Sequence, residues 1–63
     1  MKTFELNVNM DGATFDDAFG WVQLQDLLSQ AAQLVDNHQG EAFFSHLRDY
    51  NGNICGTIQI ALE

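Results

Sequence analysis

The chain reads as an α+β domain of β-α-β-β order, a three-stranded and mainly antiparallel sheet with one helix packed on one face. Three features of the sequence predict this fold. Residues 3–10 alternate apolar and polar side chains, residues 21–35 repeat apolar side chains at steps of three and four, and Asn51-Gly52 separates two β-prone runs. Period-two alternation marks a half-buried strand, three-four spacing an amphipathic helix, and Asn-Gly a hairpin turn. Residues 1–63 form one domain, because a chain this short buries only about 60% of the surface it exposes when unfolded.

In the first strand, about residues 3–10, Phe4, Leu6, Val8 and Met10 share one side and Thr3, Glu5, Asn7 and Asn9 the other. Asp11-Gly12 breaks the alternation. Thr14 is then a candidate N-cap, with the acidic Asp17 three positions on as in a capping box, and Asp16 and Asp17 would complement the helix dipole. The helix is expected over about residues 15–38. Its apolar stripe runs through Trp21, Leu24, Leu28, Ala31 and Val35, widened by Leu27 and Leu34, and Gly40 is the expected residue just past its C-terminus.

Two further strands, about 41–49 and 54–62, flank Asn51-Gly52, read as the centre of a two-residue type I′ turn in which both residues take positive φ. Pairing Tyr50 with Asn53 places Phe43, Ser45 and Leu47 on one face with Ile54, Gly56, Ile58 and Ile60. A three-residue loop with a bulge at Gly52 would flip one strand relative to the other and bury Arg48 beside Ile54, which is less consistent. The third strand is the most apolar and belongs in the centre, giving order 1-3-2; a parallel pairing of the first two strands is the alternative. The other sheet face carries Phe44, His46, Arg48, Cys55, Thr57 and Gln59, a mixed surface open to a second copy or a partner.

Nine carboxylates face only Lys2 and Arg48, for a net charge of −7. No basic patch can form, which argues against direct nucleic-acid binding or docking on an anionic membrane and toward basic protein partners or plain solubility. No apolar run approaches the ~18 residues of a membrane span. The single Cys55 rules out an internal disulfide and suits a reducing compartment, and the N-terminal residues lack the apolar stretch of a signal peptide, so the cytoplasm is expected. A core this small also predicts a homo-oligomer, most simply a dimer.

Several residue groups suggest chemistry. Asn7, Asn9, Asp11 and Gly12 mimic the first half of an EF-hand loop, but the position of the bidentate Glu holds Ala18 and the entering segment is a strand. A strand ending in an Asp-Gly turn is the better reading, without metal or cofactor. His46 and Cys55, as diagonal neighbours, would resemble an imidazole-thiol pair, yet no third group orients them and no enzyme is expected. With His38 they would supply at most part of a zinc site, completed only across a dimer. Phe15, Phe19 and Trp21 cluster at the helix start; most of such a cluster serves the core, with Phe15 or Phe19 the better candidate for exposure. Asp11, Asp16 and Asp17 fall together at one end, as a solvated surface or as an array that imitates phosphates. Asp11, Asp16, Asp17, Phe15 and Phe19 therefore form the candidate partner-binding set.

The segment Leu47-Arg48-Asp49-Tyr50-Asn51-Gly52-Asn53-Ile54-Cys55-Gly56 resembles the LRD-x-NGN-x-VG hairpin that closes many small phage-encoded accessory proteins with a short β-α-β-β layout and acidic bias. Cys55 stands where that pattern has valine. The resemblance implies a phage-type accessory protein that binds and blocks a host or defence protein in the bacterial cytoplasm, anti-restriction or anti-CRISPR-like, in the manner of a DNA mimic. A self-assembling structural module is the alternative, and a small metal-binding protein the third.

Overall fold

The computed structural model describes residues 1–16 and 18–62; Asp17 and Glu63 lie outside the described residues. Strand β1 (Lys2–Val8) leads through a 3₁₀ turn (Ala13–Phe15) into helix α1 (Phe19–Asn37), followed by β2 (Phe43–Arg48) and β3 (Ile54–Leu62). The sheet has order β1-β3-β2 and both pairings are antiparallel, so the expected topology forms and the parallel alternative does not. Helix α1 covers one face, where Leu27 and Ala31 meet Leu47 of β2 and Ile58 of β3. Leu6, Val8, Phe15, Leu34, Phe43 and Cys55 close around this centre. Each fully buried aliphatic side chain contributes about 1.5–3 kcal/mol, and only a few are fully buried here.

Strand β1 ends at Val8, short of the expected Met10. The Asn9 N–H still donates to the Cys55 carbonyl at 2.7 Å, but Asn9 Oδ1 accepts the Asp11 N–H at 2.8 Å. That local turn takes Asp11 out of the ladder and leaves Met10 exposed.

The helix starts at Phe19 rather than residue 15, with Ala18 as N-cap and no side-chain cap bond. Thr14 is not the N-cap of α1; it sits in the 3₁₀ turn, where Phe15 N–H bonds Gly12 O and Asp16 N–H bonds Ala13 O, and its Oγ1 is buried without a partner among the described residues. Asp16 therefore precedes the helix instead of facing its dipole, and the expectation for Asp17 lies outside the described residues. A tight crossing is the cause. A side chain on Gly20 would bring its Cβ within 2.6 Å of the Phe15 carbonyl oxygen, so the chain turns before the helix and crosses itself at a glycine.

The buried line of α1 is Gly20, Gln23, Leu27 and Ala31, one notch round from the expected stripe. Trp21, Leu28 and Val35 stand exposed instead, Trp21 at 66%. At the far end the His38 ring stacks on Phe43 with centroids 4.6 Å apart, and Gly40 takes φ of +80°, the positive value expected of it. The polar flank of α1 is tied to the hairpin: Gln23 Oε1 accepts the Tyr50 N–H at 2.9 Å, Gln30 Nε2 donates to the Arg48 carbonyl at 3.3 Å, and the Tyr50 hydroxyl donates to Asp26 Oδ2.

The hairpin departs from the expected turn in an instructive way. Gly52 has φ of +82° but Asn51 does not, so the turn is not type I′. Asp49 N–H bonds Asn53 O at 2.9 Å and Gly52 N–H bonds Asp49 O at 3.0 Å, which defines a three-residue loop with a glycine bulge. Arg48 then opposes Ile54, the pairing that the preferred register rejected. A second irregularity follows at once, since Leu47 opposes Gly56 and Cys55 is left over. The two offsets cancel. Beyond Cys55, Ser45 meets Ile58 and Phe43 meets Ile60, as the preferred register required.

Candidate functional site

Antiparallel pairing of β1 with β3 puts Val8 opposite Gly56, so the chain leaving β1 runs beside the chain entering β3. Asp11 and Asn9 are thereby brought against Asp49, Asn51 and Asn53 of the hairpin loop, around an open depression of about 360 Å³. Asp49 organises this end. Its Oδ1 accepts the N–H groups of Asn51 and Asn53 at 2.9 and 3.0 Å, while Oδ2 lies 3.9 Å from where a Cβ on Gly12 would sit. Asp11 and Asp16 are exposed nearby on the connection. The Arg48 guanidinium is turned to the Gly52 carbonyl, with Nη1 donating at 2.9 Å.

Of the candidate partner-binding residues, Asp11 reaches the rim of this depression and Asp16 and Phe19 are exposed. Phe15 is half-buried and packs on the core, because the 3₁₀ turn folds back over the helix start. Asp17 lies outside the described residues. Asp49, Asn51, Asn53 and Asp26 were not picked out by sequence position; strand pairing and the Tyr50 hydrogen bond bring them to the same end.

Phe44, His46, Thr57 and Gln59 do lie on the sheet face away from α1, with Phe44 against His46 edge to face at 5.2 Å. Cys55 does not join them. As the extra residue of the bulge it turns to the core side, where its thiol donates to the Leu47 carbonyl at 3.7 Å. Burial pushes the Cys55 thiol above its ordinary pKa, and the nearby negative charge of Asp49 adds to that, the opposite of an activated nucleophile. His46 and Cys55 therefore occupy different faces and form no pair, and His38 is held at the other end on Phe43. No group of three or more His, Cys, Asp or Glu among the described residues is arranged to hold a metal ion.

The Tyr50 phenol also titrates above its usual range, first because it donates to Asp26, then through desolvation and the Asp26 charge. It remains a neutral donor that clamps the loop to the helix. Among the described residues no helix is long and apolar enough to cross a membrane. Compared with protein-family models, curated proteins and solved structures, the chain matches none.

Proposed function

We propose that this is a small acidic binding protein of the phage accessory type, which sets its hairpin end on a basic surface of a host or defence protein and blocks it. In this reading it acts in the bacterial cytoplasm, in an anti-restriction or anti-CRISPR-like role, and its carboxylates stand in for nucleic-acid phosphates. The observation that carries the reading is the convergence of Asp11 and Asp49 on one concave surface, beside three asparagines that offer further acceptors. Asp49 is held by two backbone N–H groups, so its charge is presented in a fixed place. Complementary charge of this kind speeds encounter more than it adds affinity.

The test is the association rate with a partner captured from bacterial lysate by the full chain. Asp11→Asn with Asp16→Asn should slow association several-fold and leave the fold intact, since both side chains are exposed. Salt should slow it too, because the screening length shrinks from about 10 Å at 0.1 M to about 3 Å at 1 M. An on-rate unmoved by both, but sensitive to Phe44→Ala, would transfer the contact to the open sheet face.

A further inference from the structure

The strongest surface that the acidic end does not use is apolar and lies on the opposite flank of α1. Hydrogen bonds from Gln23, Asp26 and Gln30 fix the side of the helix that faces β2 and the hairpin. The flank on the other side of the buried line carries Trp21, Leu24, Leu28 and Val35, and so faces across β3 toward β1. On the same sheet face β1 contributes Phe4 and Leu6, and Phe4 is 56% exposed. Helix α1 has its closest sheet contacts with β2, and the exposed apolar side chains of its far flank and of β1 together border a shallow groove along the β1 side of the helix.

We propose that this groove seats a second copy of the chain, in a two-fold pair with antiparallel helices. Charge selects the occupant. In a chain of net charge −7, the flank from Trp21 to Val35 and the facing row of β1 carry no carboxylate, whereas Asp26 and Asp36 project from other sides of the helix. Two copies can therefore approach here without setting carboxylates against each other. An antiparallel arrangement also sends the two hairpin ends to opposite extremes of a molecule 39 Å long, well beyond the screening length of about 8 Å at physiological salt.

The spacing supplies the symmetry. Trp21 and Val35 stand one heptad on either side of Leu28, so a two-fold axis through Leu28 pairs it with itself and sets Trp21 against Val35 of the second copy. Phe4 lies at the Val35 end, because His38 stacks on Phe43, and Phe43 and Phe4 both oppose Ile60. Trp21 of each copy thus meets an aromatic wall. Trp21, Phe4, Leu28 and Val35 are already partly covered, so pairing removes on the order of 400–500 Å² per copy from water, less than a standard interface and in keeping with a pair that separates on dilution.

Sedimentation of the full chain should show twice 7.1 kDa at micromolar concentration, with dissociation on dilution. Emission from Trp21, the sole tryptophan, should shift to the red as the pair separates. Leu28→Glu should abolish pairing across that range with unchanged circular dichroism, since Leu28 is about half exposed before association. Leu28→Cys with Cys55→Ser should cross-link to itself on oxidation. A wild-type chain that stays at 7.1 kDa overturns the proposal, as does a monomer whose groove takes up an apolar dye or a foreign helix instead. A dimer that survives Leu28→Glu but falls apart with Phe44→Glu overturns it in favour of the open sheet face. Failure of the Leu28→Cys cross-link overturns the antiparallel axis.

Discussion

One flank of α1 is joined to the hairpin by hydrogen bonds from Gln23, Asp26 and Gln30, while the other carries Trp21, Leu28 and Val35 exposed above β1. The contrast shows two ways of finishing a small domain. Directional bonds hold the helix at a defined position on β2, and they do so with side chains that hydrophobicity would leave in water. Non-directional apolar surface on the far flank gives the isolated fold only the part of each side chain that is already covered. The rest of its stabilisation has to come from whatever covers it.

Adjacent leucines give the sharpest way to break this comparison. Leu27→Ala removes a fully buried side chain from the centre of the core and should cost about 2–5 kcal/mol, enough to unfold much of a domain this small. Leu28→Ala, measured in dilute solution, should change stability by no more than about 0.5 kcal/mol. Urea midpoints of the two variants check this, and equal losses would place Leu28 inside the core.

An intermediate effect is expected at Gln23. Its side chain is fully buried, with Oε1 on the Tyr50 N–H and Nε2 without a partner among the described residues. Gln23→Ala should cost about 1–3 kcal/mol by leaving that N–H unpaired, and hydrogen exchange should quicken at Tyr50 before it does in β3. A stability gain would show that the orphaned Nε2 outweighs the bond.

The smallest effect belongs to Tyr50→Phe, which removes the donor to Asp26 on an exposed surface. Its pH dependence is the informative part. The phenol pKa is raised in the folded state, so its contribution is complete below the unfolded value of about 10 and is lost as pH rises through the higher folded value. Wild type should therefore exceed Tyr50→Phe slightly at about pH 8, and the difference should vanish above the folded pKa. A gap that persists in alkali would mean that the hydroxyl contributes by packing alone.

The alternation of β1, the apolar run of β3 and the break at Asn51-Gly52 were enough to place the strands and their order. Helix phase was not legible. Gly20 and Gln23 occupy the buried line for reasons that hydrophobicity does not encode, a backbone crossing and a hydrogen bond, while the stronger apolar signal came from a flank left open. The turn type was misjudged because Asp49 accepts the N–H groups of Asn51 and Asn53, holding Asn51 at ordinary negative φ. An aspartate two residues before Asn-Gly was the available signal. The meeting of Asp11 with Asp49 was not legible from spacing, because the two lie far apart in the chain and come together only through the pairing of β1 with β3 and the course of the chain beyond those strand ends. Cys55 as a bulge residue had no signal in composition or spacing.

That bulge gives β3 slack at its entry and none beyond it. Deleting Cys55 would leave Arg48 opposite Ile54 and Leu47 opposite Gly56, and would let Ile54 and Gly56 follow one another as in a regular strand. The loop between Asp49 and Asn53 can likewise change length without altering which strand residues pair. Deleting Thr57 instead would set Ile58 opposite His46 and turn the isoleucines of β3 away from the core. Gains and losses of residues near the hairpin tip are therefore absorbed, whereas the same change past Gly56 reverses the strand.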